Sequence, residues 1–369
     1  MIPEGQFMEK TKVSTPQFFS LLYLSVLSSI FMYISSPEIT ISGTDSLLRP
    51  VVFIAVSIVS ALPLLFVYKK LGQNETNYKK LYESKFGKIT AVIYSVVYLL
   101  GIVRTTARFD LFASSELFPG AEMTLFIIGL VAVCAALSLL GLESLTRAGV
   151  IFTFIVVCAT GFVMLSLWDE ISVLNFTPLF QDGAGRFFSD SILFSLQASE
   201  IGVLLTVLPQ IKGNLKKGFV WWAILSGATF IAVLFFVVGT LGAFADTQLF
   251  PTYTAVTLAK FGLLQRMDAL ETAIWILCVV EKIALYFFVV KKNLKILFPK
   301  VKKSTLCLVQ ALSVCAVLVF VSGNLERFSF ISYTPIVVGM YVVPVILLPV
   351  SVLFYLKKVK KSEKSPQQS

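Results

Sequence analysis

The sequence predicts an all-α polytopic membrane protein with ten transmembrane helices. Of its 369 residues, 57% are hydrophobic and only 14% are charged, whereas soluble domains contain about 45–50% apolar and about 25% charged residues. Apolar runs of roughly 18 to 25 residues recur along the chain, and each is long enough to cross ~30 Å of hydrocarbon. The polar links between these runs are short, which leaves no room for a sizeable soluble domain.

The ten spans lie between a short N-terminal segment, residues 1–15, and a basic tail, residues 357–369. Together they form one membrane domain, residues 16–356. In chain order the predicted spans are residues 16–37, 47–69, 88–113, 122–142, 145–168, 187–211, 219–243, 266–290, 304–322 and 331–356.

The distribution of basic residues predicts the orientation of these spans. The net charge is +10, a value that by itself is also compatible with nucleic-acid binding. With the N-terminus placed inside, however, 23 of the 31 Lys and Arg residues fall in the N-terminal segment, the inward-facing links and the tail. Because cytoplasmic links carry an excess of Lys and Arg, both termini are predicted to be cytoplasmic. The charge therefore records membrane orientation, and we expect no nucleic-acid partner.

One of the cytoplasmic links, residues 75–87, has the pattern of an amphipathic helix. Tyr78, Leu81, Tyr82 and Phe86 recur at the three- and four-residue spacing of one helix face. We expect this face to lie on the lipid surface. Contact with a partner protein is the alternative.

The chain has no histidine and five cysteines, all of which fall inside apolar runs as expected for buried structural thiols. Its sequence contains no glycine-rich phosphate loop, no nucleophile–base pair and no metal-binding motif. We therefore expect no catalytic residue, metal or cofactor, and the protein is not predicted to be an enzyme.

The sixth span carries the first candidate site. Its middle contains Gln197, Ser199 and Glu200, although a carboxylate at membrane depth costs about 2.5–3.5 kcal/mol. Small residues, Ala198 and Gly202, flank the carboxylate, so the helix can open there and expose backbone groups to a cavity. The structural alternative is that Glu200 faces the bundle and only pairs with a neighbour.

The first span carries a second candidate site near Pro37. This proline lacks a backbone N–H and disfavours helix at the residue before it, so an irregular backbone is expected beside the hydroxyls of Ser35 and Ser36. Alternatively, Pro37 simply ends the span and Glu38 lies at the outer surface.

The third span contains two arginines four residues apart, Arg104 and Arg108, which share one helix face. Like charges on one face need an acidic group opposite, and Glu200 is the expected partner. Alternatively, Arg108 reaches the outer interface and pairs there with Asp110 or Glu116.

The eighth span contains an adjacent acid and base, Glu281 and Lys282. Neighbouring residues point in different directions on a helix, so each needs its own partner. We expect Glu281 and Trp275 to face protein and Lys282 to extend inward.

Ten spans with the first and sixth interrupted are typical of a transporter-like fold built from five-plus-five inverted repeats, in which the broken helices meet near the midplane and hold the ligand. The repeats would be residues 16–168 and 187–356. The exposed N-termini of half-helices suit a carboxylate, because their unpaired N–H groups carry partial positive charge.

Four segments in order give the whole chain a family resemblance: "YKKLYESKFGK" (78–88), "GLESLTRAG" (141–149), "NFTPLFQDG" (175–183) and "FPTYTAVTLAKFGLLQRMDALETAIWIL" (250–277). The chain resembles the spore germination permeases, the GerAB-like B subunits of nutrient germinant receptors, within the amino acid–polyamine–organocation superfamily. It departs from many relatives in the first span, where "IFM" (30–32) stands in place of a Gly-x-Gly.

This resemblance implies a receptor subunit in the spore inner membrane of an endospore-forming bacterium. It would sense a small germinant, commonly an amino acid, together with an A-type membrane subunit and a C-type lipoprotein. Two alternatives remain open: an amino acid/proton secondary transporter, and a scaffold with a vestigial cavity. The candidate ligand-binding residues, between spans 1, 3, 6 and 8, are Ser35, Ser36, Arg104, Gln197, Ala198, Ser199, Glu200, Gly202 and Glu281.

Overall fold

The structure of the protein is a computed structural model that describes residues 12–31, 44–72, 75–119, 121–177, 183–260, 267–321, 329–330 and 332–364. Its α-helices are α1 Thr15–Phe31, α2 Arg49–Ser60, α3 Leu62–Leu71, α4 Glu75–Glu83, α5 Lys85–Phe112, α6 Thr124–Leu139, α7 Leu142–Ser166, α8 Gly183–Ser195, α9 Val203–Val207, α10 Leu215–Leu241, α11 Pro251–Thr257, α12 Asp268–Leu297, α13 Lys303–Val321, α14 Thr334–Val342 and α15 Leu348–Lys364.

Shorter helical segments extend or interrupt these helices. The 3₁₀ segments are Thr44–Leu48, Trp168–Glu170, Val173–Phe176, Ser199–Gly202, Leu208–Gln210 and Gly242–Thr247, and the π segments are Ala113–Leu117 and Val343–Leu347. Two strands of two residues each, β1 Val13–Ser14 and β2 Ile211–Lys212, pair in parallel.

The predicted fold class is confirmed. Among the described residues, seven helices are long and apolar enough to cross a membrane, and one bent pair of helices forms a further span. Two shorter apolar helices, α1 and α6, lie at the first and fourth predicted spans. All ten predicted spans therefore have an apolar helix at their position, and we keep the names span 1 to span 10 for them.

Span 8, formed by α12, is the most buried of the seven long helices. It packs against spans 1, 3, 4 and 5, so its polar residues face protein. Spans 5 and 9 are much less buried, and side chains such as Phe154 and Phe320 remain largely exposed on them. This apolar surface is suited to contact with lipid. Because span 8 lies at the centre, a charged residue in its middle must find its partner within the bundle.

Span 10 is interrupted where proline removes a backbone donor. Pro344 lies in the π segment, and its carbonyl accepts a hydrogen bond of 2.8 Å from the Tyr94 hydroxyl of span 3. The Tyr94 side chain thus supplies a hydrogen-bond donor to a backbone carbonyl of this irregular segment, as polar backbone groups at membrane depth require. The wide turn also brings span 10 into contact with the interrupted part of span 6.

The amphipathic link forms a helix, α4, but its predicted end and surroundings are wrong. The helix ends at Glu83, and residue 85 already begins α5, with the Ser84 hydroxyl accepting a hydrogen bond from the Gly87 amide. Tyr78, Leu81 and Tyr82 are buried in the protein core. The apolar face therefore contacts the bundle instead of the lipid surface.

A hydrogen bond joins α4 to the second half of span 6. The Tyr82 hydroxyl donates to the carbonyl of Leu205 over 3.0 Å. Burial raises the pKa of Tyr82 above its ordinary value, so this hydroxyl stays protonated and keeps its donor. Helix α4 is thus attached directly to the helix that contains the candidate site.

Candidate functional site

Span 6 is broken in its middle, as the sequence predicts. The first half ends at Ser195, and the second begins with the 3₁₀ segment Ser199–Gly202, with a bend of 45° between them. Residues 196–198 adopt no regular helix, and Ala198 has φ −84° and ψ 55°. Gln197, Ala198 and Ser199 therefore lie at an interrupted backbone inside the bundle, where unpaired peptide groups can meet a ligand.

Glu200 is fully buried on the 3₁₀ segment at this break. Its Oε1 accepts hydrogen bonds from the Lys282 ammonium of span 8 and from the Ser29 hydroxyl of span 1, the latter at 3.3 Å. Lys282 also donates to Ser29 Oγ over 2.6 Å. The prediction that Glu200 pairs with Arg104 is wrong, because the nearer base is the lysine of the central span.

The second carboxylate oxygen of Glu200 has no hydrogen-bond partner among the described residues. This atom, Oε2, is completely buried. A carboxylate oxygen can accept two hydrogen bonds, so the site keeps an acceptor that no described residue satisfies.

The two arginines of span 3 meet span 6 at Gln197. Arg104 donates to Gln197 Oε1 over 3.4 Å and Arg108 donates to the same atom over 3.2 Å. Arg104 makes no ion pair with an acidic residue in the described part of the chain, and its buried Nε has no acceptor there. The site thus keeps an N–H donor as well as an acceptor.

Two tyrosines complete the wall beside the break. The Tyr98 hydroxyl of span 3 donates to the Ser199 carbonyl over 3.3 Å, and the hydroxyls of Ser199 and Tyr286 are also 3.3 Å apart. The Tyr98 and Tyr286 rings lie 4.9 Å apart. Gly202 lies where spans 3, 6 and 10 meet, because a Cβ added to it would fall 2.6 Å from Tyr98 Oη and 2.8 Å from Pro344 Cβ.

Three polar side chains in the middle of their spans stay partly accessible. They are Ser29 of span 1, Arg104 of span 3 and Gln197 of span 6. Ser29 is hydrogen-bonded to Glu200 and Lys282, and Arg104 is hydrogen-bonded to Gln197, so this accessible surface lies beside the broken helix.

The remaining predicted site residues lie elsewhere. Glu281 is buried on span 8, but among the described residues no hydrogen bond or ion pair joins it to the group that holds its neighbour Lys282. The structure therefore does not bring Glu281 to the break of span 6. Ser35 and Ser36, together with the predicted interruption of span 1, lie outside the described residues.

Lys282 and the two tyrosines were not among the predicted site residues. The adjacent acid and base in span 8 were the signal for Lys282, but one sequence does not tell which of them faces span 6. A second buried pair, Arg49 and Asp190 at 3.6 Å, joins span 2 to the first half of span 6.

Two solved transporter structures share this fold. One is a Na⁺-coupled sialic acid symporter in a substrate-bound, outward-open state, with a TM-score of 0.62 and 12% identity over 94% of this chain and 81% of that chain. The other is Mhp1, a nucleobase-cation-symport-1 family transporter in a closed conformation with bromovinylhydantoin bound, with a TM-score of 0.65 and 13% identity over 92% and 79%. At these identities the likeness concerns the fold.

Sequence comparison identifies the family as well as the fold. YfkT of Bacillus subtilis (strain 168), which is named for an inferred role in spore germination, is 27% identical over 304 residues, covering 80% of this chain and 82% of the relative. A family model described as "Spore germination protein" matches residues 12–328. The ten-span transporter fold, the broken sixth span and this match over most of the chain lead to one conclusion: the protein belongs to the spore germination permease family.

Proposed function

We propose that the protein senses an amino acid germinant as the membrane-embedded B subunit of a spore germination receptor. The ligand binds beside the break of span 6, between spans 1, 3, 6 and 8. One observation carries this proposal: the cluster contains a buried acceptor, Glu200 Oε2, and a buried donor, Arg104 Nε, both without partners among the described residues.

An amino acid zwitterion has the two groups that this cluster needs. Its ammonium would donate to Glu200 Oε2, and its carboxylate would accept from Arg104 and from backbone N–H groups near Ser199. Leaving a buried polar group unsatisfied costs about 1–3 kcal/mol, so a ligand that satisfies both groups is favoured over one that satisfies a single group. An amine without a carboxylate, or a carboxylic acid without an amine, is expected to bind more weakly.

Binding at the break would shift the angle between the two halves of span 6. The second half is connected to the cytoplasmic helix α4 through the bond between Tyr82 and Leu205, so a change at the site reaches the cytoplasmic surface. An A-type membrane subunit and a C-type lipoprotein would then respond to the occupied state in the spore inner membrane. A ligand shifts such an equilibrium only by its difference in affinity for the two states.

The test uses spores in which this chain is expressed with its partner subunits. Glu200→Gln and Arg104→Gln spores are expected to lose their response to a panel of standard L-amino acids while still responding to calcium dipicolinate, which bypasses the receptors. Immunoblots establish that each variant reaches the normal level. A normal amino acid response at normal protein levels in both variants would contradict the proposed site.

An amino acid/proton secondary transporter is the second candidate. It is supported by the shared fold with two symporters and by a buried carboxyl, Glu200, at the centre of the bundle. Labelled amino acids and vesicles that contain this chain alone distinguish the two functions. Uptake driven by a proton gradient would establish the transporter, whereas binding without uptake would favour the sensor.

A further inference from the structure

A pocket separate from the break of span 6 lies at the basic end of the bundle, at the link that follows the second half of that span. It has a volume of about 680 Å³ and lies between the beginning of span 1, span 5 and the beginning of span 7. This volume is far larger than a single water or a simple ion requires. Among its lining residues are Lys212, Lys217, Thr15, Tyr23 and Trp221.

Close contacts between the link and span 1 build the inner side of this pocket. The Thr15 hydroxyl donates to the Lys212 carbonyl over 2.9 Å. Gly213 has φ +120°, and a Cβ there would fall 2.6 Å from Thr15 Oγ1, while a Cβ on Gly218 would fall 2.7 Å from the Phe19 ring. The two glycines thus let the link lie directly against span 1, so the pocket is held by well-packed backbone.

The mouth of the pocket is positively charged. Lys212, Lys216 and Lys217 are exposed and make no ion pair among the described residues. The N-terminus of α10, capped by the Asn214 side chain, adds its partial positive charge. This charge favours an anionic ligand at the mouth.

The wall of the pocket is apolar and reaches the lipid-facing side of the bundle. Trp221 is 63% exposed and Leu225 is 44% exposed on α10, one and two turns from the lysines. Exposed tryptophan on a membrane helix is typical of the headgroup level, and the same end of the bundle carries the other basic links. The ligand thus has an anionic head and an apolar body.

We propose that this pocket binds an anionic phospholipid, with its phosphate at Lys212 and Lys217 and an acyl chain along Trp221 and Leu225. The bound lipid would connect span 1 to span 7 at the cytoplasmic leaflet. A basic pocket between transmembrane helices on that side is suited to such headgroups. This site is separate from the germinant site, and the proposal does not depend on how that site functions.

The test measures which lipids stay bound to the purified full-length chain by native mass spectrometry, after exchange into equal amounts of phosphatidylglycerol and phosphatidylcholine. The wild type is expected to retain phosphatidylglycerol selectively. In the double variant Lys212→Gln/Lys217→Gln, the affinity for phosphatidylglycerol relative to phosphatidylcholine should fall about 30-fold, because each lysine near a headgroup contributes about a factor of five. Lys69→Gln/Lys70→Gln removes two exposed lysines at the same end of the bundle and should leave retention unchanged.

Three results would overturn the proposal. The first is equal retention of both lipids by the wild type, and the second is an equal loss of phosphatidylglycerol in the control variant and the pocket variant. The third is displacement of phosphatidylglycerol by millimolar inorganic phosphate, which would indicate an anion site without lipid. Size-exclusion profiles and unfolding midpoints of both double variants exclude misfolding. If the pocket variant fails to fold, brominated phosphatidylglycerol should quench the wild type more strongly than Trp221→Phe, and equal quenching would refute the site.

Discussion

The buried pair of Glu200 and Lys282 gives the sharpest prediction about stability. Their side chains are 0% and 7% exposed, so either charge left alone would lie inside the bundle without compensation. Removing one partner of a buried pair costs about 3–5 kcal/mol, whereas replacing both with uncharged residues of similar size is often neutral. Glu200→Gln and Lys282→Met should therefore each destabilise the protein strongly, and the double variant should be more stable than either single variant.

Thermal unfolding of the full-length chain in detergent measures the order of stability of the wild type, the two single variants and the double variant. At about 2 °C per kcal/mol for a chain of this size, the single variants should unfold roughly 6–10 °C below the wild type. The exposed pair Glu143 and Arg147, whose side chains are 35% and 68% exposed, provides a matched control. Its removal should cost less than about 1 kcal/mol. Single Glu200 or Lys282 variants that unfold like the wild type, or a double variant that shows the sum of both losses, would refute the pairing.

Three further predictions test other contacts of the site. Gly202→Ala should lower the free energy of unfolding by about 1–3 kcal/mol through overpacking. Gly129→Ala is the control, because its Cβ position has open space around it, and it should not lower the unfolding midpoint. Similar midpoints for the two variants would contradict the close approach of Tyr98 and Pro344 to Gly202. Tyr82→Phe removes the hydrogen bond to Leu205 and should cost about 0.5–1.5 kcal/mol, and an unchanged midpoint would show that the bond contributes nothing. Arg104→Gln should raise the amino acid concentration for half-maximal germination by at least about tenfold, equivalent to 1.4 kcal/mol; an unchanged dose–response curve at normal protein level would exclude its carboxylate contact.

The sequence by itself determined the class, the number of spans and the place of the break. Apolar length alone indicates a span because every backbone polar group in hydrocarbon must be satisfied within the segment. The cost of a carboxylate at membrane depth likewise identified residue 200, and small residues around it identified the place where the helix opens. These are local properties of the chain, so a single sequence is enough to predict them.

The tertiary structure decided which polar residues meet. Lys282 reaches Glu200 and Ser29, while Glu281, one residue earlier, makes no hydrogen bond or ion pair with that group among the described residues. Adjacent residues on a helix differ by about 100° in direction, so only the position of span 8 within the bundle selects between them. The predicted partner, Arg104, instead meets Gln197.

The surroundings of the amphipathic helix α4 also required the tertiary structure. Its periodic face is equally suited to lipid or protein, because both offer an apolar surface. Tyr78 and Tyr82 are buried in the protein core, and Tyr82 contacts the second half of span 6 through Leu205. A sequence pattern specifies which face of a helix is apolar, whereas only the packed bundle determines what covers that face.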